Sequence, residues 1–409
     1  MKKMELLAPA GDLERLMTAV EYGADAVYFG GESLSLRSGG DFFSAQDMAE
    51  GVDYAHKRGV RCYLAMNVFA HNEDLDAARE NLLSIAPLKL DGLIVSDPGI
   101  LSLAKDLLPG VPLHLSTQAN TTNVLSAAFW HSQGIKRIVL ARELSLDEIR
   151  QIRADAPEGL ELEAFVHGAM CMSYSGRCLL SNFMTGRDAN RGNCAHPCRY
   201  RYALVEEKRP GEYYPIGEDA RGGYILNADD LCMIRHIPAL AQAGLSSLKI
   251  EGRKKSTFYV AAVTGAYRKA LDAYYADPDG YGFREEWMEG LSLASHRNFS
   301  TGFYFGPPGP EDQNYRSSGY SREGVFTGIV RDYDPQTGLA LVEQRNKMVL
   351  GDKLHVFGPR TPSFTFQLAR MEDAEGNALT EAPHPQQLLR IPVGHPVRPM
   401  DILYLRKES

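Results

Sequence analysis

The sequence predicts an α/β fold: a (β/α)8 TIM-like barrel followed by a small C-terminal antiparallel β-barrel domain. Three observations carry this. Eight short apolar runs alternate with helical patterns over the first 250 residues. The first strand–helix turn lacks a dinucleotide-binding fingerprint, and from about residue 320 the pattern changes to alternating apolar and polar residues.

The eight runs are LLAPAG (6–11), AVYFG (26–30), CYLAMN (62–67), GLIVSD (92–97), LHLSTQAN (113–120), RIVLAREL (137–144), LELEAFVHG (160–168) and SLKIEGR (247–253). Between them, segments such as DLERLMTAVEYGA and SAQDMAEGVDYAHKRG repeat apolar residues at three- and four-residue steps, the helical spacing. Several helices open on Asp or Ser, and Gly59, Gly134 and Gly244 close others before the next strand. A doubly wound sheet is the alternative, but the turn APAGDLERL has no GxGxxG to hold a pyrophosphate. The barrel, with its cysteine-rich segment, is expected over 1–304. The Gly/Pro-rich FGPPGPEDQN falls in a linker at 305–319, and the β-domain occupies 320–409, with DPQTG and GDK as turn signals.

A hydrophobic content of 44% supports a real core, and a net charge of −8 argues against nonspecific coating of DNA while leaving room for a local basic patch. The start, MKKMELLAPAGDLERL, has no apolar stretch of signal-peptide length, and no run of about 18 apolar residues suits a membrane span. The expectation is a cytoplasmic protein without membrane contact.

Barrel active sites sit at the carboxyl ends of the strands. Those ends carry Asn67 and His71, then Asp97, then Gln118, Asn120 and Thr122, then Arg142 and Glu143, His167, and finally Lys249, Glu251 and Arg253. Any one of them alone reads as a cap or loop residue; their concentration on one face reads as a site. Lys249 and Glu251 also admit a structural reading, as an ion pair shaping the barrel floor.

Four of the six cysteines lie in HGAMCMSYSGRCLLSNFMTGRDANRGNCAHPC (167–198): Cys171, Cys178, Cys194 and Cys198. In a cytosolic chain such a cluster points to metal binding or redox work. Six, fifteen and three residues separate them in turn. Structural zinc sites pair cysteines closely at both ends, which only the second pair does. An iron–sulfur cluster tolerates irregular spacing. Cysteines used only for packing belong in apolar runs, whereas these sit among Gly, Ser, Arg and Asn. Cluster, zinc and no metal all remain open on spacing. Cys62, inside an apolar strand, reads as core; Cys232 reads as core or as a spare ligand. Arg177, Arg187, Arg191, Arg199 and Arg201 crowd the same segment with Asp188 the only acid among them, giving either a phosphate-binding surface or a solvated loop. There is no HExxH helix, GxSxG elbow or Walker loop. A Cys171–His167 nucleophile pair would need a helix where the pattern gives strand and then loop.

The stretch EAFVHGAMCMSYSGRCLLS resembles the signature of the U32 family, historically called collagenase-like peptidases. ELLAPAG, GADAVYFG, SDPG, STQAN, LARELSLDEI, GNCAHPCR and SLKIEGR extend the resemblance over nearly the whole chain. MNVFAHN, SLRSG, RELSLDEI and the closing β-domain are most similar to the branch that installs 5-hydroxyuridine at the tRNA wobble position. The resemblance implies an oxygen-independent hydroxylation with a [4Fe–4S] cluster and prephenate as the source of the hydroxyl group. Other branches hydroxylate a cytidine of large-subunit ribosomal RNA or serve ubiquinone synthesis, and the older family name implies a peptidase. Relatives that work in pairs imply a paralogous protein partner. Carried over by position, Cys171, Cys178, Cys194 and Cys198 match the cluster cysteines. Cys232, which is outside that quartet, leaves the fourth ligand open between Cys198 and itself. On this reading His167, Tyr174, Asn67 and Gln118 are the catalytic candidates. Gln118 and Asn120 read the edge of the base while Tyr174 stacks on it. Arg37, Arg142 and Arg253 take the small dicarboxylate co-substrate. Arg177, Arg187, Arg191, Arg199 and Arg201 meet phosphates of the tRNA anticodon stem-loop.

Overall fold

Eight parallel strands close on themselves in the computed structural model. They are β1 (Glu5–Pro9), β2 (Ala26–Gly30), β3 (Arg61–Met66), β4 (Gly92–Val95), β5 (Leu113–Leu115), β6 (Ile135–Val139), β7 (Glu161–Ala169) and, after an insertion, β11 (Ser247–Ile250). The strand order β11-β1-β2-β3-β4-β5-β6-β7, with β7 pairing back to β11, completes the barrel. The residues described are 3–31, 43–68, 70–170, 178, 180–187, 189, 194–199, 203–204, 214–215, 229–307 and 321–407. Each of the first six strands is followed by a helix: α1 (Leu13–Glu21), α2 (Ala45–His56), α3 (Leu75–Ile85), α4 (Pro98–Leu107), α5 (Val124–Ser132) and α6 (Leu146–Asp155).

The helix starts are set by side chains that satisfy the otherwise unpaired first-turn N–H groups. Asp12 accepts from the backbone of Arg15, and Asn123 from that of Ser126. Ser44 and Ser145 form reciprocal capping boxes with Asp47 and Glu148. Asp97 belongs to this group: its carboxylate accepts from the N–H groups of Gly99 and Ile100. It is a helix cap at a strand end, which explains its place in the polar ring without a role in chemistry.

The insertion after β7 contains α7 (Leu180–Thr185), a short turn at Pro197–Arg199, the two-residue strands β8 (Ala203–Leu204) and β9 (Tyr214–Pro215), then β10 (Asp230–Cys232) and α8 (Ile237–Gln242). Helices α9 (Thr257–Ala276) and α10 (Glu285–Leu293) and strand β12 (Phe299–Ser300) end the barrel domain. Strand β7 is long because it serves two neighbours. Its lower half pairs with β11, and its upper half pairs antiparallel with β10, which carries β12 on its far side.

Period-two alternation sends Leu6, Ala8, Cys62, Leu64 and Met66 outward against the helices, where they join one continuous core. Cys62 is therefore a packing residue, as expected. The inward face is only partly the apolar filling usual in such barrels: Leu7, Ala26, Tyr28, Tyr63, Ala65 and Ile94 cluster there beside a charged network. Glu5, Arg137 and Glu163 meet there, with Arg137 Nη1 at 2.5 Å from Glu5 and 3.2 Å from Glu163. Lys249 Nζ lies 2.8 Å from the other Glu163 oxygen. Ser247 and Tyr63 both donate to Glu5, and Glu161 takes the remaining Arg137 donors. Lys249 does not pair with Glu251, contrary to expectation. Glu163 is fully enclosed and a lone buried carboxylate is costly, so the ammonium is drawn to it and Glu251 is left to the mouth.

The C-terminal domain consists of β13 (Gly324–Asp334), β14 (Leu339–Gln344), β15 (Met348–Val349), β16 (Lys353–Phe357), β17 (Phe364–Gln367), β18 (Glu372–Asp373), β19 (Glu381–Ala382), β20 (Leu388–Pro392) and β21 (Ile402–Arg406). Seven of them form one antiparallel sheet, ordered β17-β16-β21-β13-β14-β20-β18, that wraps its own core as a half-barrel. It docks on α1 and α9. Tyr22, Phe258, Ala261, Ile329, Ile402 and Tyr404 share an apolar seam, and Tyr22 donates to the Met400 carbonyl at 3.1 Å. Because this domain covers its outer side, α9 is apolar nearly all round rather than along one stripe. Beside the seam a polar cavity of ≈ 540 Å³ is lined by Glu14, Arg331, Glu343 and Arg345, whose charges pair with one another.

Candidate active site at the carboxyl end of the barrel

Two arcs make up the mouth. The first is neutral and lies on β3 to β5. Asn67 follows β3 and its Nδ2 donates to Gln118 Oε1 at 2.8 Å and to Ser116 Oγ at 3.2 Å. Ser116 Oγ donates to the same Gln118 oxygen at 2.5 Å. Ser96, between them at the end of β4, leaves its buried hydroxyl unpaired. Gln118 sits on a tight turn, Thr117–Ala119, fixed by Asn120 N–H to Thr117 O and by Thr117 Oγ1 to Leu140 O at 3.0 Å. Asn120 ends that turn in the left-handed region, with φ of 52°, which Asn tolerates better than most residues. Its backbone role accounts for the residue type independently of any contact with a base.

The second arc is charged and lies on β6, β7 and β11. Arg142 donates to the Ala169 carbonyl at 2.9 Å, lies over the Phe165 ring at 3.9 Å, and stands 3.6 Å from Glu251. Arg253 has its guanidinium 5.9 Å from the Tyr28 ring centroid, and its carbonyl fills the space a side chain at Gly11 would need. The Tyr28 hydroxyl donates to the Ile250 carbonyl at 2.9 Å and reaches Glu251 at 3.5 Å. Burial holds the Glu143 carboxyl above its ordinary range.

His167 is not in either arc. Register slips between β7 and β11 so that Lys249 faces Phe165 but Ile250 faces His167, and Val166 is skipped. This bulge reverses the alternation. His167, only 2% exposed, points to the helix side among Tyr259, Tyr267 and Phe299. Burial pushes its pKa down to about 3. The structure thus corrects its expected place in the mouth. Gly168, next along, has φ of 108°, and a Cβ there would lie 2.7 Å from the Glu251 carbonyl oxygen.

Among the cysteines expected to bind metal, Cys178, Cys194 and Cys198 are half-buried and in no disulfide, on the segment that leaves β7. The segment is tied together by Ser181, whose hydroxyl donates to the Arg187 carbonyl and accepts from the Ala195 N–H, and by the His196 N–H, which donates to Cys194 Sγ at 3.3 Å. Among the described residues no three His, Cys, Asp or Glu side chains are placed to share a single metal ion. Cys232 is a core thiol, pushed up to about 11 by burial and lying opposite His167. Arg187 is exposed, and Arg199 ends the Pro197–Arg199 turn. Cys171, Tyr174, Arg37, Arg177, Arg191, Arg201 and the Arg199 side chain lie outside the described residues. The sequence reading missed Glu5, Arg137, Glu163 and Ser116. Their signal was present, since each is a polar residue at an inward position of an apolar strand.

Fold and site define a (β/α)8-barrel protein whose candidate functional face is the carboxyl end of its strands. The chain belongs to peptidase family U32: it matches that family over residues 11–314 and the family's C-terminal domain over 322–403. It is 41% identical to the tRNA hydroxylation protein P1 of Bacillus subtilis, over 98% of this chain and 94% of that one. It is 37% identical to the tRNA hydroxylation protein P of Escherichia coli, over 96% and 94%. A collagenase of Porphyromonas gingivalis is 33% identical, over 98% and 97%. No helix among the described residues is long and apolar enough to cross a membrane.

Proposed function

We propose that the protein hydroxylates C5 of the wobble uridine in tRNA without dioxygen, with a [4Fe–4S] cluster and with prephenate as hydroxyl donor. The observation that carries this reading is the division of the mouth. Its neutral amide and hydroxyl arc suits a planar uncharged heterocycle, and its guanidinium-bearing arc suits a carboxylate, in a chain closely similar along its length to proteins named for tRNA hydroxylation. Replacing C5–H by C5–OH removes two electrons from the ring. A donor that surrenders its hydroxyl oxygen takes up those two electrons, so dioxygen is not needed.

In this reading Gln118 holds the extruded base, Arg142 and Arg253 hold the dicarboxylate, and arginines on the cysteine segment contact anticodon-loop phosphates, so that binding weakens with salt. The donor set fits the cluster. Three of its four cysteines are half-buried and in no disulfide, and a four-iron cube spreads its ligands farther apart than one ion does. Cys62 and Cys232 are packed in the apolar core of the barrel, 0% and 6% exposed, apart from the cysteine segment that leaves β7. Cys171, Cys178, Cys194 and Cys198 would therefore hold the cluster, which when bound supplies electron transfer.

Mass spectrometry of tRNA nucleosides from a strain lacking the gene should show loss of 5-hydroxyuridine derivatives, restored by the gene; unchanged levels would sink the assignment. For the cluster, anaerobically purified Cys198→Ala should lose most of its iron and sulfide while Cys232→Ala keeps both, and the reverse pattern would make Cys232 the ligand. The relative named collagenase favours a peptidase as second reading. A Cys171–His167 nucleophile pair would need His167 in the mouth, and it is turned away toward Tyr259 and Tyr267.

A further inference from the structure

We infer that Gln118 makes the site selective for a base carrying an oxygen at position 4, and so for uridine over cytidine. The inference rests on the proposed hydroxylation and deepens it. Gln118 Oε1 already accepts two hydrogen bonds, from Asn67 Nδ2 at 2.8 Å and from Ser116 Oγ at 2.5 Å. A carbonyl oxygen has two lone pairs, so its accepting capacity is used. The amide is thereby fixed in orientation, and among the described residues neither of its side-chain hydrogen bonds uses Nε2. The side chain is 4% exposed, and its backbone is clamped in the Thr117–Ala119 turn. Such a group offers a ligand donors only.

Uracil presents an acceptor at O4, beside the C5 to be oxidised, where cytosine presents an amino donor. Uracil O4 completes the Gln118 amide. Cytosine would set N–H against N–H at a nearly buried amide, the kind of mismatch by which enzymes reject near-isosteres most strongly. Asn67 and Ser116 act through Gln118 as positioning residues. Ser96, whose hydroxyl can either donate or accept, adds no preference.

The test is Gln118→Glu, which keeps an acceptor toward Asn67 and Ser116 but replaces the outward donor with an oxygen. The deletion strain would express wild-type or variant protein together with a substrate tRNA bearing wobble uridine or, in a parallel culture, the same tRNA bearing wobble cytidine. Both 5-hydroxy nucleosides would be quantified. The expected result is a fall of at least tenfold in the uridine-to-cytidine product ratio, with cytidine product above the wild-type level. Gln118→Met serves as a second variant that removes the donor without adding charge, and it should bring the ratio toward unity. A merely structural role would lower both products together and leave the ratio unchanged, and an unchanged ratio in either variant overturns the inference. Failure of the wild-type gene to restore 5-hydroxyuridine instead overturns the reading on which the inference rests.

Discussion

The floor and the mouth of the barrel are both polar, yet they differ in what is left unpaired. On the floor every charge has a partner: Arg137 spends its guanidinium on Glu5, Glu161 and Glu163, and Lys249 completes Glu163. At the mouth Gln118 keeps a donor in reserve and Ser96 an unpaired hydroxyl. Polar density therefore does not mark a binding site inside a barrel. Unspent hydrogen-bonding capacity at the carboxyl end of the strands is the better guide, because a ligand gains only from groups it can reach that the protein has not already satisfied.

The largest effect that would break this contrast is on the floor. Arg137→Met should cost about 3–5 kcal/mol of stability, since it takes away the fully buried cation that Glu5 and Glu163 share and leaves Glu163 to Lys249 alone and Glu5 to Arg61, Ser247 and Tyr63. Denaturant unfolding measures it, and a cost below about 1 kcal/mol would mean that the network is solvated rather than structural. Next comes acid sensitivity. Burial first, then the Arg137 charge, pushes His114 down to about 3, and burial does the same to His167. The unfolded chain takes up these protons near pH 6.5 while the folded chain refuses them until about pH 3. Stability is thus complete above pH 7 and falls as the pH drops through that window. Replacing both histidines by Phe should flatten the melting temperature between pH 6.5 and 4.5. Glu163, held below its usual range because Lys249 and Arg137 outweigh its burial, would still bring acid unfolding below about pH 4.5. The smallest stability effect belongs to the mouth. Gln118→Met should shift unfolding by about 1–3 kcal/mol, through the Asn67 and Ser116 donors it strands, while changing base selectivity, and a larger, floor-sized loss would erase the distinction.

Much of this was legible in the chain. The eight runs became the eight barrel strands, and Cys62 lay where its apolar strand put it. Asn67, Gln118, Arg142 and Arg253 stood at strand ends because strand length and alternation fix which residues reach the carboxyl face. His167 was misplaced because a bulge of one residue leaves no mark in a pattern read at period two. Asp97 was ambiguous because a helix cap and a site residue occupy the same position in a βα turn.

By itself the sequence determined the barrel, the appended β-domain, the candidate ring and the crowd of cysteines, since these follow from local periodicity and composition. Only the tertiary structure decided which polar groups are spent and which remain available. Whether Glu163 meets Lys249, or whether Asn67 takes the second lone pair of the Gln118 oxygen, depends on neighbours tens of residues away. No local pattern records those partners; closure of the barrel supplies them.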